Sequence, residues 1–135
     1  MGCPPVTADA FANQYCHFFD DTAFRETDRA GFRQRVVTGD RLQLCFWRIK
    51  GGASGSFLHH HVATEQLGIV MRGQLDFRIG EPDDARRVTL SAGDVYLAPE
   101  LVWHGDSVFI GDEEYGECWI LDVFAPPRDD LRSEP

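Results

Sequence analysis

The chain has 135 residues, 43% of them hydrophobic and 12% aromatic, which is enough apolar material for one domain with a real core and excludes disorder as its main state. Asp and Glu number 22 against 13 basic residues, a formal charge of -9. That balance argues against a nucleic-acid partner and against adhesion to anionic membranes, because both need a basic face.

No run approaches the roughly 18 consecutive apolar residues that a membrane span requires. The opening MGCPPVTADA has neither the charged start nor the apolar stretch of a secretory signal, so a cytoplasmic location is expected. Cys3, Cys16, Cys45 and Cys118 show no CxxC spacing and are expected to be reduced thiols.

Taken in chain order, residues 1–31 differ from the rest. Phe11, Tyr15, Phe18 and Phe19 fall near helical spacing after Thr7, a possible N-cap. An N-terminal arm or short helix that lays aromatics on the body is expected there. From Phe32 to residue 135 the pattern is β. Apolar, β-branched or aromatic runs follow one another: RQRVV, LQLCFWRI, SFLHHHV, QLGIVM, QLDFRI, RRVTL, DVYLA, SVFI and ECWILDVF. Turn chemistry separates them, as at Gly80-Glu81-Pro82-Asp83 and Ser91-Ala92-Gly93-Asp94. Turns recurring about every 8–12 residues predict an all-β sandwich or barrel. Leu42–Ile49 and Trp119–Phe124 are apolar on both faces. One face can fill the barrel, while the other needs a second sheet or a second subunit, so a homodimer is expected.

Four of the five histidines are His59, His60, His61 and His104. On a strand, His59 and His61 share one face and His60 takes the other. Two imidazoles so placed can converge on one metal ion. A lone H-x-H reads more readily as a solvated loop than as a metal site. Here a polar donor (Gln66, with Glu65 beside it), a glycine (Gly73) and a later Gly93–Pro99–His104 block follow in order. That succession argues for a metal site.

Together these residues resemble a small single-domain cupin. Residues 59–73 match H-x-H-x4-[E/Q]-x6-G and residues 93–104 match G-x5-P-x4-H. The resemblance spans about residues 40–128 and implies an all-β cupin fold, a double-stranded β-helix or jelly-roll barrel. It departs at Ala53 and Leu101, where the family has glycine, and at Val108, where it has Asn. The implied metal ligands are His59, His61, His104 and Gln66, holding one divalent ion per chain, with Mn, Fe, Ni or Zn all compatible with such donors. Glu65 is the rival fourth ligand, as the stronger donor, but only Gln66 keeps the x6-Gly interval.

The last strand carries Asp122 among apolar residues, with Phe124 on the same face. A carboxylate facing into a barrel needs a partner or a task; the bland alternative is an ion pair with Arg128 or another Arg. Pro126-Pro127 stiffens the exit towards Arg128. This D-x-F-x-P-x-R ending is similar to that of the small cupins of pectin and uronate breakdown, which linearise unsaturated uronates to open keto forms. The resemblance implies that Asp122, Phe124 and Arg128 serve the substrate. Asp122 would act as general acid and base, Arg128 would hold a carboxylate, and Phe124 would pack on the sugar. The expected partner is a small anionic molecule. An Fe(II) dioxygenase and a non-catalytic binding module are the alternatives. Trp47, Trp103 and Trp119 are pocket candidates with core packing as their default role.

Overall fold

The computed structural model describes residues 16–55 and 57–131. Thr7, Phe11 and Tyr15 lie outside them. From Cys16 onward the chain turns through Asp20 and makes a 3-10 turn, Asp21–Ala23, capped by the Asp20 side chain. Phe18 and Phe19 precede that 3-10 turn and lie against Trp119, with ring centroids 5.6 and 5.0 Å away. Among the described residues no α-helix forms.

Nine strands follow: β1 (Arg25–Glu26), β2 (Phe32–Thr38), β3 (Gln43–Lys50), β4 (Glu65–Arg72), β5 (Gln74–Ile79), β6 (Arg86–Ser91), β7 (Val95–Ala98), β8 (His104–Ile110) and β9 (Glu117–Ala125). They build a six-stranded sheet in the order β1-β2-β3-β9-β4-β7 and a three-stranded sheet in the order β6-β5-β8. All pairings are antiparallel. The fold is all-β, as the alternation predicts.

The core lies between the sheets. Ile49 of β3, Val70 of β4 and Ile120 of β9 meet Leu75 and Phe77 of β5 and Phe109 of β8. These are the alternate residues of their strands, so the period-2 pattern turns directly into burial. Cys45 and Cys118 are fully buried, pack as small hydrophobes and carry no disulfide. Gly73 makes the β4–β5 turn at φ +74, and a Cβ there would meet the carbonyls of Ile110 and Glu117.

One expected strand is absent. Residues 57–64 form a loop whose only ladder contact is a bridge between His59 and His104. The loop's polar groups are met irregularly instead. His61 O accepts from Leu101 N at 2.9 Å, and the Glu100 carboxylate accepts from Ala63 N at 2.8 Å. Phe57 and Val62 point outward, 92% and 69% exposed, and only Leu58 of the run's apolar residues is half-buried.

The double-sided strands resolve differently at their two ends. Near Trp119 the outer face is covered by Phe18, Phe19 and Tyr115. Farther along it carries two cross-strand rows, Leu44–Val123–Leu67–Leu97 and Phe46–Leu121–Ile69–Val95.

Candidate metal centre and substrate pocket

The inward positions of the large sheet stack in rows. Gln43, Phe124, Gln66 and Ala98 form one; Cys45, Asp122, Gly68 and Tyr96 form the next. Gln66, Tyr96, Asp122 and Phe124 line a cavity of about 210 Å³, together with His59 and His104. Register thus brings β9, β4 and β7 residues, far apart in sequence, to one wall.

The opposite wall is the histidine loop. His59 and His104 bridge reciprocally, each N–H donating to the other's carbonyl, at 2.8 and 2.7 Å. Their rings are fixed as well. Nδ1 of His59 lies 2.7 Å from Phe57 O, and Nδ1 of His104 lies 3.0 Å from Val102 O. A carbonyl only accepts, so each Nδ1 carries the proton and Nε2 keeps its lone pair. One ring nitrogen from each of His59, His61 and His104 falls within 4.8 Å of the others.

Gln66, 6% exposed, completes the cluster. Its Oε1 is 3.0 Å from Nε2 of His61 and 3.0 Å from Nε2 of His104. At His104 two lone pairs therefore face each other with no proton between them. A cation among these donors would turn that conflict into ligation, which is the observation that fits the cluster to a metal. Burial pushes His104 down to about 4, with the charges of His59, His61 and Arg128 acting in the same direction. Burial and then Arg128 lower His61 as well. Neutral imidazoles are the form that binds metal. Glu65 is exposed, one residue round the strand from the cluster. His60 packs on Trp103, ring centroids 4.3 Å apart.

Asp122 stands across the cavity. Its Oδ1 is buried and has no hydrogen-bond partner. Burial raises the carboxyl to about 6, while Gln66, Trp47, Arg128 and Tyr96 hold it from rising further. Arg128 does not pair with it. The guanidinium forks onto exposed Asp130, Nη2 to Oδ2 at 2.6 Å and Nε to Oδ1 at 3.1 Å, and lies 4.9 Å from the centre of the Phe124 ring.

The sequence of the cupin domain family matches residues 45–115. The chain is a cupin. Its structure is similar to KdgF from Halomonas sp., at 25% identity and a TM-score of 0.68, over 87% of this chain and all (100%) of that one. An RmlC-like cupin from Shewanella frigidimarina is similar at 23% identity and a TM-score of 0.66, over 87% and 97% of the two chains. Oxalate decarboxylase from Bacillus subtilis shares the fold at 23% identity and a TM-score of 0.61, over 80% of this cupin but only 28% of that protein. No curated protein sequence matches the chain.

Two functional contacts in this cupin were not expected. Gln43, fully buried, clasps the Arg128 backbone with both ends of its amide: Nε2 donates to Arg128 O at 3.1 Å, and Arg128 N donates to Oε1 at 3.0 Å. That clasp, and not only the proline pair, fixes where Arg128 leaves the barrel. Tyr96 receives a 2.7 Å hydrogen bond from Gln66 Nε2. Leu101 stands where the family has glycine and adopts φ +72, which explains the family's choice. Of the tryptophans, Trp47 lines the pocket, whereas Trp119 packs on the outer face and Trp103 on His60. Alternation within DVYLA could have pointed Tyr96 inward; nothing local marks Gln43.

Proposed function

We propose that this cupin is a metal-dependent enzyme acting on a small acidic sugar or keto compound, in an isomerisation of the ring-opening type. The carrying observation is the buried, unpartnered Oδ1 of Asp122, set in one small cavity with His59 and His104 of the histidine cluster and with Arg128. His59, His61, His104 and Gln66 would hold one divalent ion, which when bound supplies a Lewis acid for substrate oxygens. The remaining work belongs to the chain. Arg128 exchanges its exposed Asp130 partner for a substrate carboxylate and keeps the same two-pronged geometry. Phe124 gives the sugar an apolar face and keeps water from the floor of the pocket. Asp122 takes a proton at Oδ1 and returns it to a neighbouring atom; a carboxyl raised to about 6 is suited to both directions near neutral pH.

The likeness to Halomonas KdgF over that whole chain, and the D-x-F-x-P-x-R ending shared with the uronate-breakdown cupins, support this substrate class. The test is incubation of metal-loaded protein with unsaturated uronates, following loss of the conjugated double bond. Asp122→Asn is expected to lower turnover by about 10²–10⁴ while metal content is unchanged. Undiminished turnover, or loss of the metal, removes Asp122 from the chemistry. Oxygen uptake without isomerisation supports a dioxygenase instead.

The two apolar rows on the outer face suit a second copy of the chain, because a flat apolar sheet is complementary to itself about a twofold axis. Val95 and Leu97 at its edge are 52% and 51% exposed. Light scattering at twice the formula mass is the expected result.

A further inference from the structure

Tyr96 is where the ligand wall and the carboxylate wall of the pocket meet. It lies in the same cross-strand row as Asp122, with Gly68 between them: Asp122 pairs with Gly68, and Gly68 pairs with Tyr96. Gly68 is buried, and its φ is not in the left-handed region. Its lack of a side chain serves space, not backbone freedom. A Cβ built on Gly68 would collide with Cε1, Cζ and Cδ1 of the Tyr96 ring. The phenol thus lies over the vacancy and carries its hydroxyl to the row above, where Gln66 sits. Gln66 Nε2 donates to that hydroxyl at 2.7 Å, and the same amide also reaches the Asp122 carboxylate, so the two share its hold on the nitrogen. With the amide nitrogen held there, Oε1 is aimed the other way, at Nε2 of His61 and of His104. The hydroxyl accepts from Gln66, so its own proton remains to be given, and the Asp122 carboxylate is the acceptor beside it.

We propose that Tyr96 is a positioning residue: laid across Gly68, it locks the Gln66 amide with its oxygen towards the histidines and links that ligand to Asp122. An unanchored glutamine amide presents nitrogen as readily as oxygen, and nitrogen bearing two hydrogens ligates nothing. The neighbours that orient a metal's ligands commonly govern affinity by about 10–100-fold. This inference rests on the metal reading above and adds to it a residue outside the ligand set and outside the D-x-F-x-P-x-R ending.

The test is Co(II) affinity, measured by competition with a chelator, together with the visible Co(II) spectrum. It uses the full chain and the variants Tyr96→Phe, Gln66→Ala, the double variant, and Gly68→Ala. Tyr96→Phe is expected to weaken Co(II) by about tenfold or more and to shift the spectrum. The double variant is expected to bind no more weakly than Gln66→Ala alone, because Tyr96 acts only through Gln66. Gly68→Ala, which keeps the hydroxyl but displaces the ring that carries it, is expected to reproduce Tyr96→Phe. A merely structural tyrosine would leave the spectrum unmoved. Wild-type affinity in Tyr96→Phe, or additive losses in the double variant, overturns the proposal while leaving the metal site intact. Failure of the unaltered chain to bind Co(II) overturns the metal reading and this inference with it.

Discussion

Two places in the molecule take charge out of water, and they treat it oppositely. On the outer face, Glu117 of β9 is enclosed by donors. Arg48 reaches it at 2.8 and 2.9 Å, Arg33 at 3.1 Å, and the Trp119 indole N–H at 3.0 Å. Arg48 in turn lies 4.8 Å from the Trp119 ring centre. Five residues further along the chain, on the inner face of the same strand, Asp122 has an Oδ1 that nothing satisfies. One strand therefore carries a carboxylate paired at both oxygens and another with one oxygen left unpaired. Full pairing in the first case makes stability; leaving one oxygen unpaired in the second keeps a proton acceptor ready in the pocket. The difference is visible in their acidities. Burial pulls Glu117 up, but Trp119, Arg48 and Arg33 outweigh it and hold the group below its ordinary value. At Asp122 burial prevails.

The comparison is broken most directly by removing each carboxylate in turn. Glu117→Ala takes from Arg48, whose side chain is only 6% exposed, its buried partner and leaves it the exposed Asp21 alone, so a loss of about 2 kcal/mol in urea unfolding is expected. Asp122→Asn is isosteric and removes a buried charge, so the metal-free protein should lose no stability at neutral pH. Equal losses from the two variants would mean that Asp122 is as structural as Glu117.

The pH dependence of metal-free protein sharpens the contrast. Asp122 is raised on folding from 3.8 to about 6, so the folded state binds the extra proton. Its contribution is fully present below the unfolded value and is lost as pH rises through about 6. Glu117 is lowered from 4.5, so its contribution is present above that value and is lost as pH falls through the folded one. Relative to Asp122→Asn, the unaltered chain should become progressively less stable between about pH 4 and 7. Relative to Glu117→Ala, it should lose its advantage on acidification below about 4.5. Unfolding curves of the three proteins across that range are the measurement, and parallel slopes would abolish the distinction.

A smaller effect is expected at the edge of the site. Leu101 holds φ +72, a conformation that costs an L-residue about 1 kcal/mol. Leu101→Gly should recover about that amount in thermal unfolding, less the entropy that glycine adds to the unfolded chain. No gain would show that the turn tolerates leucine without strain.

Much of this was legible in the sequence because it was local. Alternation and turn residues are properties of a few neighbouring positions, so eight of the nine expected runs could be placed by their own pattern; only SFLHHHV misled, since its Phe57 and Val62 face water. The histidines, Gln66 and the later His104 were legible for a different reason: their spacing is a family motif, and the structure brings three of the histidines and Gln66 together. What the sequence could not carry is everything that depends on register between distant strands. That Gly68 lies between Asp122 and Tyr96, that Gln43 clasps Arg128, and that Arg33, Arg48 and Trp119 converge on Glu117 are decided only when β2, β3, β9, β4 and β7 are laid side by side. The sequence alone determined which faces of each strand are apolar and which residues can ligate. Only the tertiary structure decided which polar groups find partners, because a hydrogen bond depends on ångströms between strands and not on positions along one.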